Sequence, residues 1–358
     1  MDIFKILKQL TETPGPSGFE KQIGATISEL WEPLADTVGV DRLGSVIAVR
    51  HGEGAEPRPR LLLAAHLDEI GLMVKQITTQ NGNGFLRVTN LGGVDIRHLY
   101  GQTVIVHGQR DLVGVIGSLP GWMLPADRRR NPFGYEDLAI DVGLPEQEVN
   151  KLVNVGDAIS FRQPARKMLS KSVTAKALDN RASVAAVTVC LEYLNGRHFD
   201  WDVIAVATAQ EETRLLGAFT SAFAQQPDAA VAIDVTFAKG AGLNESQITL
   251  GSGPVIDIGP NVHPGMADAL HKTAKAVEMK ISTSTHPRAS GTDAYGLQVA
   301  RAGIPTGLVS IPLRYMHTMV ETIHETDVER AGRLLGEFVA RLDDKFLQDL
   351  AKGMMKAD

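Results

Sequence analysis

The sequence predicts an α/β protein with a mixed, mostly parallel sheet flanked by helices, interrupted by a small all-β, barrel-like insertion. Three observations carry that prediction. Apolar, strand-length runs precede residue 75, and after Lys171 they alternate with helical patterns, as expected for a sheet covered on both faces. Between about residues 75 and 165 the runs are short and β-branched, punctuated by Gly, Pro and Asn, with no long helix. That texture reads as a sandwich or barrel. The 358 residues suffice for one α/β domain carrying such an insertion. The division is therefore 1–74 with 166–358 as the α/β domain, and 75–165 as the inserted unit.

The elements follow in order. Ile3, Phe4, Leu7 and Leu10 recur at helical spacing and open the chain with an amphipathic helix. Pro14-Gly15-Pro16-Ser17-Gly18 breaks it, and residues 20–30 read as a second helix. Residues 46–49, 61–65 and 71–77 are strands, the first two separated by a charged, Pro-containing turn. Residues 86–89, 103–107, 113–116 and 158–161 are the short strands of the insertion. Beyond Lys171, helices are expected over 181–194, 215–224 and 265–277, and strands over 203–209, 229–234 and 306–311. Thr326, with Glu329 three residues later, predicts a capping box. The helix it starts would bury Val328, Ala331, Leu334, Leu335, Phe338, Val339 and Leu342.

Composition excludes several functions. A single cysteine, Cys190, rules out an intramolecular disulfide and any thiolate metal cluster. Lys and Arg total 36 against 42 Asp and Glu, a formal charge of −6, which argues against a nucleic-acid partner. No apolar run approaches the roughly 18 residues a membrane-spanning helix needs. The start lacks the basic and apolar regions of a signal peptide. A soluble, cytoplasmic protein without membrane partners is expected.

Five places could carry chemistry. His66-Leu67-Asp68-Glu69 ends the strand 61–65, and in open α/β sheets ligands bind outside the carboxyl ends of strands. His66 and Asp68, two apart, share a face; a carboxylate there can fix the imidazole tautomer. The alternative is a solvated strand-end turn. Asp179 precedes a helix, where an N-cap is the ordinary reading. Glu211 and Glu212 follow the apolar run 203–209; adjacent buried carboxylates repel unless a cation or proton compensates. Asp234 ends another strand, and His317 follows a third. Two imidazoles with three carboxylates and no thiolate suit Zn²⁺, Co²⁺ or Mn²⁺, and can hold two ions with one carboxylate bridging. Glu211, left off the metals, would be the general base and then the acid for a leaving amine.

Six motifs then occur in a familiar order: Pro14-Gly15-Pro16-Ser17-Gly18, Ala65-His66-Leu67-Asp68-Glu69-Ile70-Gly71, Ala177-Leu178-Asp179-Asn180-Arg181, Gln210-Glu211-Glu212, Gly291-Thr292-Asp293-Ala294 and Ile311-Pro312-Leu313-Arg314-Tyr315-Met316-His317. The chain resembles, nearly end to end, the dinuclear metallo-aminopeptidases that include bacterial glutamyl aminopeptidase and archaeal tetrahedral aminopeptidases, some once labelled endoglucanases. The resemblance implies a zinc-peptidase-like catalytic fold, a β-rich insertion used in dimerisation, and homo-oligomers from dimers to tetrahedral dodecamers. It implies His66 and His317 as ligands of different metals, Asp179 as the bridge, and Glu212 and Asp234 completing the two sites. Glu211 matches the general base and Asp68 the partner of His66.

The implied function is removal of N-terminal residues from short peptides by a water activated between two divalent ions, Zn or Co, with Mn also suitable. The chain departs from the family after the Glu pair. Where Val-Gly-Leu-Arg-Gly-Ala is usual, it reads Thr213-Arg214-Leu215-Leu216-Gly217-Ala218. Arg214 is expected to face solvent; turned inward, it would favour acidic side chains. The rival readings are a deacylase acting on N-acyl amino acids with the same metal chemistry, a glycosidase using two carboxyls without metal, and a catalytically silent oligomeric scaffold.

Overall fold

The computed structural model describes residues 1–123, 134–241 and 247–355. Among these, an eight-stranded sheet runs in the order Thr37–Val40, Val46–Arg50, Asp202–Thr208, Arg60–His66, Ala229–Phe237, Thr306–Leu313, Val255–Ile258 and Ser282–Thr285. The four strands from Asp202–Thr208 to Thr306–Leu313 are mutually parallel, so their carboxyl ends share one edge. Antiparallel pairings flank them on both sides, giving the expected mixed sheet. In Thr306–Leu313 every residue is buried, and in Arg60–His66 every residue after the first. Strands covered on both faces show such continuous apolar runs.

Helices supply the cover. In Leu178–Tyr193 every residue from Leu178 to Leu191 is buried, so it has no solvent face and belongs inside. It packs against Glu325–Val339, where a β-carbon on Gly332 would fall 2.5 Å from the Ala186 carbonyl oxygen. That glycine lets the two backbones approach.

Helix Glu325–Val339 buries the expected apolar stripe, and Leu342 is buried just beyond it. Its cap differs from the expected one. His324 is the N-cap and accepts from the Thr326 amide through Nδ1 at 3.3 Å. The reason is that strand Glu321–His324, paired to Ser172–Ala175, runs straight into the helix, leaving Thr326 inside the first turn.

Six strands form a closed antiparallel barrel in the order Gly71–Gln80, Asn83–Leu91, Ala139–Pro145, Asp111–Gly117, Thr103–His107 and Ala158–Phe161. Alternation sorts its faces: Leu112, Gly114 and Ile116 point inward, whereas Val113 and Val115 are about half exposed. The barrel has its own apolar core, which includes Leu72, Val88, Val106, Ile140 and Ile159. Strand Ala139–Pro145 and the short helix Glu146–Leu152 were not expected. Nor were strand Val255–Ile258 and the edge strand Ser282–Thr285 beside it; Ser-Thr-Ser-Thr offers no apolar alternation to read. Among the described residues, no helix is long and apolar enough to cross a membrane.

Candidate metal centre

The shared carboxyl edge of the parallel strands gathers the candidate residues. His66 is the last residue of Arg60–His66 and pairs in register with Thr208. Asp234 lies opposite Ser310. Gln210 takes a left-handed conformation (φ 58°) that turns the chain from Asp202–Thr208 into a single helical turn, Glu211–Arg214. Ala177 (φ 57°) makes the corresponding turn before Asp179, whose peptide bond to Asn180 is cis. His317 (φ 61°) lies in a turn closed by the bridge between Arg314 and Thr322.

The Asp179 carboxylate faces both imidazoles. Its Oδ1 is 3.2 Å from His66 Nε2, and its Oδ2 is 3.3 Å from His317 Nε2. His317 Nε2 is also 3.6 Å from Glu212 Oε1, and His66 Nε2 is 3.7 Å from Glu211 Oε2. One ligand atom each of His66, Asp179 and Glu212 falls within a 4.8 Å cluster, as does one each of His66, Glu211 and Asp234. The second imidazole nitrogens decide the tautomers. His66 Nδ1 faces the Asp68 carbonyl oxygen at 3.2 Å, and His317 Nδ1 faces the Gly93 carbonyl oxygen at 3.1 Å. A carbonyl only accepts, so each Nδ1 carries a proton and each Nε2 faces the carboxylates. Without a cation, Nε2 holds a second proton that it donates to Asp179; its lone pair would otherwise be free for a metal.

Asp68 does more than face His66, whose Nδ1 is 3.4 Å from its Oδ1. It is fully buried and accepts the amide of Glu211 at 3.0 Å on one oxygen and that of Glu212 at 3.1 Å on the other. The sequence reading missed Glu321, which does the same across the site. It accepts the His317 amide at 2.8 Å and the Asp179 amide at 2.9 Å. The only sequence signal was its place four residues after His317. Asp293 was quoted within a motif but given no role. It is buried, accepts a short hydrogen bond from the Thr208 hydroxyl, and leaves Oδ1 without a hydrogen-bond partner.

Comparison with known proteins identifies the lineage. A family model described as M42 glutamyl aminopeptidase matches residues 44–334. The chain belongs to the M42 glutamyl aminopeptidase family. It is 33% identical to the lysyl aminopeptidase of Pyrococcus furiosus over 92% of this chain and 95% of that protein. The TET aminopeptidase structure from a marine sediment Thaumarchaeota archaeon superposes with a TM-score of 0.89 at 32% identity, covering 98% of this chain and 100% of that one. The TET1 peptidase of Pyrococcus horikoshii, described as assembling into a tetrahedron or a large octahedral shell, gives a TM-score of 0.80 at 31% identity, covering 95% and 100%.

In this M42 chain the electrostatics of the cluster fit divalent cations. Burial, followed by the charge of Asp179, lifts the Glu212 carboxyl to about 7. Burial likewise pushes Glu211 and Asp234 well above the usual carboxylate range, and Asp293 to about 6. The hydrogen bond to Asp179 raises His317 to about 9. Asp179 itself stays below its ordinary value, because the two imidazoles outweigh its burial. Without cations, protons must offset this crowding of carboxylates. Two divalent ions would replace those protons, and oxygen and imidazole donors match their preference.

A cleft of about 430 Å³ opens onto the cluster, lined also by Arg214, Phe237, His286, Leu308 and Ser310. Arg214 is exposed, as expected, yet it stands on the rim of this cleft. Leu216, four residues after Glu212, is exposed. His286 Nε2 is 2.7 Å from the buried carboxylate of Asp257, which also accepts from the Ser310 hydroxyl at 2.5 Å.

Proposed function

We propose that this chain is a metal-dependent aminopeptidase that removes N-terminal residues from short peptides at a two-cation centre. The supporting observation is the Asp179 carboxylate, with one oxygen toward His66 and the other toward His317. That is the disposition a bridging ligand needs. His66, Asp179 and Asp234 would hold one cation, and Asp179, Glu212 and His317 the other, with Zn²⁺ or Co²⁺ favoured and Mn²⁺ also compatible. Bound there, the cations would acidify water and polarise the scissile carbonyl.

The protein's own groups do the rest. Glu211, with its raised proton affinity, accepts a proton from the attacking water and returns it to the leaving amine as the C–N bond breaks. Asp68 fixes the two amides that present the Glu pair, and Glu321 fixes those of Asp179 and His317.

In this reading 1–74 with 166–358 form the catalytic domain, and 75–165, which hold most of the barrel, serve dimerisation. The half-exposed Val113 and Val115 on its outer face, together with the TET relatives, support a homo-oligomer from dimer to tetrahedral dodecamer. A fluorogenic aminoacyl panel tests the activity. Turnover of free-amine substrates should vanish in chelator and return with Co²⁺ or Zn²⁺. Hydrolysis restricted to N-acetylated amino acids would instead establish the deacylase. A folded protein unable to take up either ion would establish the scaffold.

A further inference from the structure

A second cleft, of about 410 Å³, lies beside the first and shares Gly93, Phe237, Met316 and His317 with it. His317 is the wall between them: its Nε2 faces the carboxylate cluster, and its Nδ1 faces Gly93. A β-carbon on Gly93 would fall 2.5 Å from His317 Nδ1, so only glycine fits this junction without moving the imidazole.

The two clefts differ in charge. The first holds the carboxylates. The second is lined by Arg97, His98 and Arg314 against one acid, Asp95. Arg97 forms a short ion pair with Asp95, so these two charges cancel locally. Arg314 forms no ion pair among the described residues. Its Nε donates to the Lys239 carbonyl oxygen at 2.6 Å, which fixes one edge of the guanidinium. Paired amide bonds with Thr322, 2.9 and 3.0 Å, fix its backbone. What remains is an anchored cation with unused donors beside the centre, suited to a carboxylate.

We propose that the second cleft seats the C-terminal carboxylate of the peptide, gripped by Arg314, so that the site selects very short peptides. This rests on the aminopeptidase reading, which puts the scissile bond at the cluster and leads the rest of the peptide away from it. Reach supports the placement. Arg314 is three residues from His317, at most about 11 Å of extended chain, which two or three peptide residues beyond the scissile bond would also span. Tri- and tetrapeptides with a free carboxylate are the implied substrates.

The test compares one tripeptide as free acid and as C-terminal amide. Wild type should favour the acid about tenfold in kcat/KM, through KM, as expected for loss of one charge-assisted contact. Arg314→Gln should erase the difference, and Arg314→Lys should restore part of it. Calorimetry on metal-loaded Glu211→Gln, titrated with the same two peptides, reads binding without turnover. Equal affinity for acid and amide would overturn the proposal even if wild type hydrolyses both. So would discrimination that survives in Arg314→Gln. Acid-selective binding with no hydrolysis by wild type would uphold the carboxylate site and sink the aminopeptidase reading instead.

Discussion

At the residue scale, the proposed function divides the work between two acids, Glu211 and Glu212. Both amides hang on Asp68, but the side chains diverge, Glu211 toward His66 and Glu212 toward His317. Glu211→Gln keeps the shape and removes the proposed proton carrier. It should retain bound metal while losing about 10²–10⁴-fold in kcat, read by steady-state kinetics beside metal analysis; activity near wild type would reject the assignment. Metal uptake should also compete with protons. Because His317 in the metal-free protein holds its proton up to about 9, Zn²⁺ affinity should fall as pH drops below that value and uptake at pH 8 should release protons, both measurable by calorimetry in buffers of different ionisation enthalpy.

His66, Asp179, Glu211, Glu212, Asp234 and His317 were legible in sequence as candidates because side-chain chemistry and placement, after a strand or, for Asp179, before a helix, mark them. The family resemblance drew them into one set. Glu321 was not, because it acts on backbone amides, which every residue has. Only the fold shows which amides need a partner. Arg214 was half legible: its exposure followed from its place on a surface turn, but its position on the cleft rim depends on how Glu211–Arg214 is set against Phe237 and His286.

At the scale of elements, a buried ionic knot ties the N-terminal helix Ile3–Glu12 and the Pro14–Gly18 turn to the catalytic edge. Glu69 accepts the Gly15 amide at 2.9 Å and pairs with Lys176 at 2.5 Å and Arg181 at 3.4 Å. Arg181, fully buried, also donates to the carbonyl oxygens of Leu10, Thr13 and Leu67. Three of the six sequence motifs therefore meet in one knot, whose role is positional. Glu69→Ala would strand two buried cations and should cost about 3–5 kcal/mol of stability, read by denaturant unfolding.

Cys190 supplies a probe for the same core. Burial lifts its thiol to about 12, so at pH 8 a thiol reagent should label it only as fast as the protein opens, and faster in Glu69→Ala. The sign is fixed by linkage. The unfolded thiol ionises near 9 and the folded one does not, so this contribution to stability is present below pH 9 and is lost as pH rises toward 12. Rapid labelling of the native protein at pH 8 would show that the helix Leu178–Tyr193 is not buried as described.

At the scale of the whole molecule, the alternation of strand and helix and the change to short β-branched runs were enough to foresee a mixed sheet and a small all-β, barrel-like insertion. Pairing in the fold settles that the barrel is closed. The sheet edges escaped because short, polar or mixed segments carry no periodicity. Strand Ala139–Pro145 alternates Ile140, Val142 and Leu144 with Asp141, Gly143 and Pro145, but its Gly and Pro read as loop punctuation. The acidic balance also acquires a cause. Of the formal −6, Asp179, Glu211, Glu212 and Asp234 account for −4, and two divalent cations at the cluster would bring the chain to −2 (−6 + 4). Metal stoichiometry tests that account most directly. Chelator-stripped protein re-equilibrated with Zn²⁺ or Co²⁺, freed of excess ion and measured by plasma mass spectrometry, should carry two ions per chain; a folded protein that holds only one, or none, would contradict the two-cation centre.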